Sequence, residues 1–420
     1  MFSKINTILD TIDAYVWGIP LIVLILSVGL FLTIRLKGVQ FTNLGRAFKY
    51  IFKDETDGKH GEVSSFAALC TALSATIGTG NIVGVATAIV SGGPGALFWM
   101  WLAALVGTAT KYAECLLAVK FRQVDEDGHV VGGPFNYIEH GMGPKWKWLA
   151  KIFAFFGIGV GLLGIGTFTQ VNGISSAVNN FFDPNNAWTV SLFGRTYSWT
   201  VVISCLILTF CVALVLIGGI QRISKVAQVI VPFMAATYFL AGILIILFNI
   251  TDVPAAILTI VQSAFGLKAA AGGALGAMVV AMQKGIARGI FSNEAGLGSA
   301  PIAAAAARTN EPVRQGLVSM TGTFIDTIII CSITGIAIVL SGLWNSGLDG
   351  AVLTMRAFDQ LLPGGIGGFI CLASVVLFGF SCLISYYTYA ERAGEYIFGQ
   401  KIKPIIKALW VVIILIGSQS

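Results

Sequence analysis

Apolar runs of about twenty residues, separated by short polar connections, recur along the whole chain. At about 20 apolar residues per bilayer crossing, they predict ten membrane-spanning segments. These lie at 15–36, 64–90, 93–118, 150–178, 199–218, 226–248, 272–306, 314–341, 364–390 and 404–418. Two stretches fall short of that length. Residues 41–52 mix apolar and basic positions as a helix lying on a membrane surface does, and 254–265 reads as an interfacial helix or hairpin.

Two of the predicted spans have middles that a stable helix would avoid. Ser74–Val83 reads Ser-Ala-Thr-Ile-Gly-Thr-Gly-Asn-Ile-Val, and residues 284–298 read Lys-Gly-Ile-Ala-Arg-Gly-Ile-Phe-Ser-Asn-Glu-Ala-Gly-Leu-Gly. Each interior glycine costs roughly 1 kcal/mol against alanine, and Thr and Asn compete with the helix for backbone hydrogen bonds. In hydrocarbon, freed N–H and C=O groups are tolerated where they face protein or line a cavity. Both stretches are therefore expected to unwind at mid-depth and hold something small; the competing reading is a small-residue packing face. Unwinding puts N–H donors at one half-helix end and C=O acceptors at the other, which together suit a zwitterion plus a cation. Five spans separate the start of one break from the start of the other. An odd number sends the two helices into the membrane from opposite sides, as in an inverted repeat. The expected organisation is an extra N-terminal span with a surface helix (1–63), a first five-helix unit (64–250) and a second, inverted unit (251–420). A complete second unit calls for an eleventh span, so either the final helix is absent from this sequence or the count of spans is wrong by one.

Composition narrows the class. The chain is 56% hydrophobic and only 11% charged, against about 25% charged in soluble domains. The net charge of +6 does not point to nucleic acid, because the basic residues sit between apolar runs rather than on one face. Most of the 26 basic residues fall in alternate connections, at 35–59, 120–151, 222–225, 308–314 and 392–407. The opposite connections carry only Lys4, Arg195, Lys268 and Arg356. The positive-inside rule then places the first set in the cytoplasm and the N-terminus outside, in a cell membrane. Tryptophans near the predicted span ends, Trp17 and Trp188 among them, agree. The seven cysteines sit within apolar runs without C-x-x-C spacing, so they read as packing residues. The three histidines, His60, His129 and His140, lie in polar connections, which argues against a metal or proton-relay cluster. The first apolar segment lacks a basic leader and a small-residue cleavage site, and is expected to remain as an anchor. Gly159-Val-Gly-Leu-Leu-Gly164 matches a nucleotide-loop pattern, but no strand precedes it, and it reads as a packing face. No nucleophile–base pairing falls in the spans, so an enzyme is disfavoured.

Charges within spans are candidates for function by default. Asp326 stands in the eighth segment beside Thr323 and Thr327, free to serve a cation or to pair with Lys284 or Arg288. Lys111 and Glu114, three apart, read as a structural pair. Glu294 is expected to cap or pair within the second break.

Residues 72–86 (Ala-Leu-Ser-Ala-Thr-Ile-Gly-Thr-Gly-Asn-Ile-Val-Gly-Val-Ala), Gly92–Trp101 and 289–301 (Gly-Ile-Phe-Ser-Asn-Glu-Ala-Gly-Leu-Gly-Ser-Ala-Pro) carry a resemblance, joined by Lys111–Glu114 and Gly132–Tyr137. The chain resembles the alanine or glycine:cation symporter family, from its first span to about residue 395. The resemblance implies an all-α membrane protein of LeuT type, in the APC superfamily. It implies sodium-driven uptake of alanine, with glycine, by a monomer needing no cofactor beyond the Na+ it moves. It also implies site residues. Gly78, Thr79 and Gly80 would cradle the substrate carboxylate, Asn81 would orient nearby backbone, and Gly289, Phe291 and Ser292 would close the other side, with Phe168 and Gln170 from the fourth segment. Sodium would sit between the second and ninth segments, on carbonyls of Ser74 and Ile77 and on the Ser381–Ser385 stretch, which includes Cys382. Ser381 and Ser385, four apart, share a helix face, although serines there can also bond back to their own helix. A small pocket walled by phenylalanine and glycine suits alanine. The alternative is proton coupling on the same scaffold, carried by a carboxylate such as Asp326.

Overall fold

The computed structural model describes residues 18–53, 61–124, 129–192, 195–267 and 273–417, together with 7 and 11. Lys4, Trp17, Lys59, His60 and Lys268 lie outside them. Each predicted span coincides with helix. In chain order these are α1 (Ile19–Arg35), the surface helix α2 (Leu44–Ile51), α3 (Ser65–Thr76), α4 (Val83–Gly92), α5 (Ala96–Lys120), α6 (Lys147–Leu163), α7 (Phe168–Phe182), α8 (Trp199–Leu216) and α9 (Gly219–Phe248). They continue as α10 (Val253–Ala264), α11 (Ala274–Asn293), α12 (Ala300–Ala305), α13 (Pro312–Thr323), α14 (Ser332–Ser341), α15 (Gly350–Leu361), α16 (Gly367–Phe398) and α17 (Lys403–Gly417). Among the described residues, seven helices are long and apolar enough to cross a membrane, or eight when the bent pair α3–α4 is taken as one span. Two antiparallel hairpins, β1 (Gln123–Val124) with β2 (Val130–Val131) and β3 (Thr189–Leu192) with β4 (Arg195–Ser198), close connections that the hydrophobic pattern left blank.

Leu, Phe, Ile and Val exposed on α1, α6, α8 and α9 form the outer surface, as expected of helices that face lipid. The interior is different. α3 and α16 are nearly enclosed, α16 packing on α3, α6, α7, α9 and α15, while α5 packs on α11 and α13. α3 starts where the Ser64 side chain accepts a bond from the Ala67 N–H at 3.1 Å, an N-cap that the polar Ser64–Ser65 pair supplies.

Three interruptions shape the core. The first separates α3 from α4, which meet at 59°. The second separates α11 from α12 and lies later than the sequence suggests: the helix runs unbroken to Asn293 and opens at Glu294–Ser299, where Glu294, Gly296 and Gly298 have φ of 56°, 87° and 78°. The glycines that unwind it are therefore Gly296 and Gly298. Gly285 and Gly289 instead let α11 cross α5 closely; a Cβ on Gly289 would stand 3.2 Å from Met100 Cα. The third interruption, Gly164–Thr167, bends the fourth predicted span between α6 and α7 and was not expected. In the glycine run ahead of it, Gly161 takes the packing role, with Ala390 Cβ 2.9 Å from where its own Cβ would be. Finally, Phe324–Cys331 is wound as π-helix between α13 and α14.

At the end of the molecule rich in Lys and Arg, here the basic end, the chain is sewn shut. The Glu62 and Val63 amides donate to Ala306 O at 2.9 and 3.2 Å, and the Arg308 N–H to Val63 O at 2.6 Å. Arg122 donates to the carbonyls of Ala305, Ala307 and Thr309. Above this seal, Arg392 holds both oxygens of Glu62 at 2.8 and 2.6 Å, and His129 bridges Glu62 (3.0 Å) and Glu395 (2.7 Å). Lys403 reaches Glu395 at 3.0 Å. His129 is thus part of an ion network in a polar connection. Its hydrogen bonds to Glu395 and then Glu62 push its pKa up to about 9. At the opposite end a cavity of about 530 Å³ lies open between α4, α7 and α15.

Candidate functional site

The first break accounts for its freed backbone groups one by one. α3 ends at Ile77 (ψ 85°), Gly78 is extended, and Thr79–Asn81 makes a single 3-10 turn. The Gly78 N–H donates to Asn81 Oδ1 at 2.9 Å. The Thr79 N–H and hydroxyl both donate to Gln170 Oε1, at 2.9 and 3.0 Å, while the Gln170 amide donates to Ile165 O in the third interruption at 3.0 Å. Asn81 O accepts from the Thr334 hydroxyl at 2.8 Å. Asn81, Thr79 and Gln170 are buried, so these bonds form away from bulk solvent, where an unmade one costs most.

Asp326 joins the two breaks. It is fully buried in the π-helical turn, a geometry that recurs at functional positions. Asn81 Nδ2 donates to its Oδ1 at 2.6 Å; the hydroxyls of Ser292, in the last turn of α11, and of Thr327 donate to its Oδ2, each at 2.8 Å. Neither Lys284 nor Arg288 pairs with it. Arg288 lies over the Phe291 ring at 5.5 Å, and Lys284 packs beside Gly92, so that expectation is corrected. The carboxylate is thus met by three neutral donors and, among the described residues, by no basic side chain within ion-pair distance.

The proposed residues divide accordingly. Gly78, Thr79, Gly80, Asn81, Gln170, Phe291 and Ser292 surround one region: a Cβ on Gly80 would stand 3.9 Å from Phe291 Cδ1, and one on Gly78 would stand 3.0 Å from Gln170 Oε1. Gly289 faces α5 and is removed from it. Phe168 also departs. It is half-buried, lines the open cavity with Val83, Gly173 and Asp349, and abuts Gly417. The floor of that cavity adjoins the break, since Thr79 Cγ2 lies 2.9 Å from where a Cβ on Gly173 would be.

Where α3 crosses α16, the Ser74 hydroxyl donates to Ser381 O at 2.6 Å, the Ser381 hydroxyl donates to Phe378 O (2.9 Å) and Ser74 O (3.3 Å), and the Cys382 thiol donates to Ala75 O at 3.0 Å. Ser385 is fully buried, yet its hydroxyl has no hydrogen-bond partner, and Ile77 is buried beside the same crossing. This is a dense set of hard oxygens between two helices. In the second break, Glu294 takes the capping role: its carboxylate accepts from the hydroxyls of Tyr386 and Ser299.

Several participants escaped the sequence reading. Thr334 and Thr354 (α15) cover carbonyls of the first break, and Tyr386 holds the second. A threonine in an apolar helix carries no mark of which backbone it will meet.

The whole chain, residues 2–420, matches the family model described as the sodium:alanine symporter family. The chain belongs to the sodium:alanine symporter family. A relative from Methanococcus maripaludis, the sodium/alanine symporter AgcS, is 44% identical over 99% of this chain and 88% of its own length. An uncharacterized transporter of Haemophilus influenzae is 51% identical over 99% of this chain and 87% of its own. Among solved structures, MhsT in complex with L-phenylalanine superposes with a TM-score of 0.60 over 86% of this chain and 80% of that one, at 16% identity. That likeness is one of fold. This sodium:alanine symporter family member is an all-α polytopic membrane protein of LeuT type, a transporter of amino acids by symport and not an enzyme.

Proposed function

We propose that the protein imports alanine, and glycine with it, driven by sodium, by alternating access across a cell membrane, with the basic end in the cytoplasm and the N-terminus outside. The observation that carries the reading is the meeting of the two breaks on Asp326. The peptide groups of Gly78–Gly80, whose Gly78 and Thr79 N–H donors rest on Asn81 and Gln170 in this structure, would turn to a substrate carboxylate, and the buried Asp326 carboxylate nearby supplies the negative charge that a cation balances. Sodium is assigned to the crossing of α3 and α16, on the carbonyls of Ser74 and Ile77 and the Ser381–Ser385 stretch; the unpartnered Ser385 hydroxyl fits that role. Phe291, 3.9 Å from where a Cβ on Gly80 would stand, is the wall that favours a small side chain. The repeats 64–250 and 251–420 supply one break each, and the open cavity opposite a sealed basic end corresponds to an outward-facing state. Coupling requires each ligand to raise the other's affinity by the same factor. In proteoliposomes, alanine uptake should require an inward sodium gradient and vanish when choline replaces sodium; equal uptake in choline overturns the reading.

One observation favours a second reading, proton coupling: Asp326 has hydroxyl and amide donors but no basic partner. Uptake driven by a pH gradient without sodium, lost in Asp326→Asn, identifies it.

A further inference from the structure

The surface helix α2 has two faces, and the fold uses only one. Leu44, Ala47, Phe48 and Ile51 recur at helical spacing and turn inward, with Ala47 buried against Ala109 and Tyr112 of α5 and Leu317 and Met320 of α13. The other face carries Arg46 and Lys49, continued by Lys53, all exposed, beside Phe52, which is 86% exposed. Arg35 and Lys37, both exposed, and Phe41, 65% exposed, stand just ahead of the helix in the chain. None of these five cations pairs with a carboxylate among the described residues; Asp54, Glu55 and Asp57 follow in the sequence, outside them.

The helix sits where α1 leaves the lipid-facing surface. Phe31 and Ile34 are exposed near the end of α1, and the chain then turns through Lys37 and Gly38, with φ of 53° and 66°. The buried Gln40 side chain donates to Thr33 Oγ1 at 2.9 Å and to Leu105 O at 3.3 Å, which folds the connection back onto α1 and α5. Cations and large apolar rings thus share one rim. Rings there suit the acyl layer, and the cations suit headgroup phosphates. The inner face reaches the transport framework. Phe48 meets Phe324 edge-on with ring centroids 6.0 Å apart, and Phe324 opens the π-helical turn that carries Asp326. Arg314 of α13 lies over the Tyr50 ring at 4.8 Å and donates to Lys53 O.

We propose that α2 is a binding site for anionic lipid headgroups, with Arg46, Lys49 and Lys53 on the phosphate oxygens and Phe52 in the acyl layer, and that bound lipid braces α13 and the turn carrying Asp326. A zwitterionic lipid satisfies the rings but leaves the cations without a net counter-charge. The brace follows from the two-sided helix: fixing its outer face on lipid fixes Phe48 and Tyr50 on its inner one.

The test uses purified full-length protein in a neutral detergent without substrate or sodium, so its outcome is independent of what is carried and what drives it. Phosphatidylglycerol should raise the melting temperature and slow amide hydrogen exchange across residues 312–331, while phosphatidylcholine and inorganic phosphate do neither. Each charge near an anionic surface contributes about fivefold, so the lipid concentration for half effect should rise about a hundredfold in Arg46→Gln/Lys49→Gln/Lys53→Gln. Lys145→Gln/Lys151→Gln/Lys401→Gln removes as many exposed charges elsewhere at the basic end and should keep the wild-type response. An equal response to phosphatidylcholine, an equal loss in both triple variants, or an equal response to inorganic phosphate would each overturn the lipid site. Stabilisation with unchanged exchange across 312–331 would overturn the brace. Should the α2 variant fail to stay monodisperse, wild type in choline chloride decides, since that salt screens charge without supplying sodium. It must weaken the effect of phosphatidylglycerol, and an unchanged effect rejects the site.

Discussion

Asn81 does two things with one side chain. Its carbonyl oxygen caps the Gly78 amide, and its amide nitrogen holds Asp326, so the shape of the first break and the aim of the carboxylate depend on the same residue. Thr79 has a narrower part, because its hydroxyl and amide share one acceptor on Gln170. Thr79→Val removes one of those donors and keeps the volume; at about 1 kcal/mol for a net hydrogen bond, alanine affinity should fall about fivefold by sodium-dependent thermal stabilisation, with folding intact. Gly80→Ala tests the pocket differently. The added methyl stays 3.9 Å from Phe291, so the fold tolerates it, but it would occupy the proposed substrate space. Competition uptake should show alanine affected more than glycine, and equal losses would place the pocket elsewhere. At this scale the first break was legible because Gly, Thr and Asn in an apolar run contradict helix propensity. Asp326 was legible as an intramembrane charge, but its donors were not: opposite charge points to Lys284 and Arg288, while packing delivers Asn81 and Ser292.

The elements repeat the lesson. The second break was anticipated, yet its start was displaced, because glycines on a helix serve equally for unwinding and for close packing. Gly285 and Gly289 do the second; Gly296 and Gly298, at positive φ, do the first. Gly298→Ala should therefore cost about 1–2 kcal/mol from backbone conformation alone, with a contact 2.7 Å from Pro134 Cγ added. The measurement is a lower melting temperature together with lost uptake; an unchanged melt would mean that the break relaxes at no cost. The bend at Gly164–Thr167 carries a mark like that of the first break, Gly-Ile-Gly-Thr within an apolar run, that was read only as part of a span, whereas the π-helical turn at Phe324–Cys331 carries no such glycines. Helix α15 was missed for a simpler reason, as its 12 residues are too short and mixed to register as a span.

For the whole molecule, the ion network at the basic end makes a prediction in pH. His129 is raised from 6.5 to about 9 by Glu395 and Glu62. The stability it adds is complete below about 6.5 and disappears as pH climbs through about 9. Wild type should accordingly melt at a lower temperature at pH 10 than at pH 7, whereas His129→Asn should start lower and change less over that interval. A variant as pH-sensitive as wild type would exonerate the histidine. The seal beneath that network has its own consequence. Because Val63 and Arg308 are bonded backbone to backbone, the halves of the two discontinuous helices at the basic end behave as a single shutter. Neither half swings aside without tugging the other, so under the proposed sodium coupling an ion arriving alone would meet a door with both leaves tied, and slippage of the gradient would require the pair to part together.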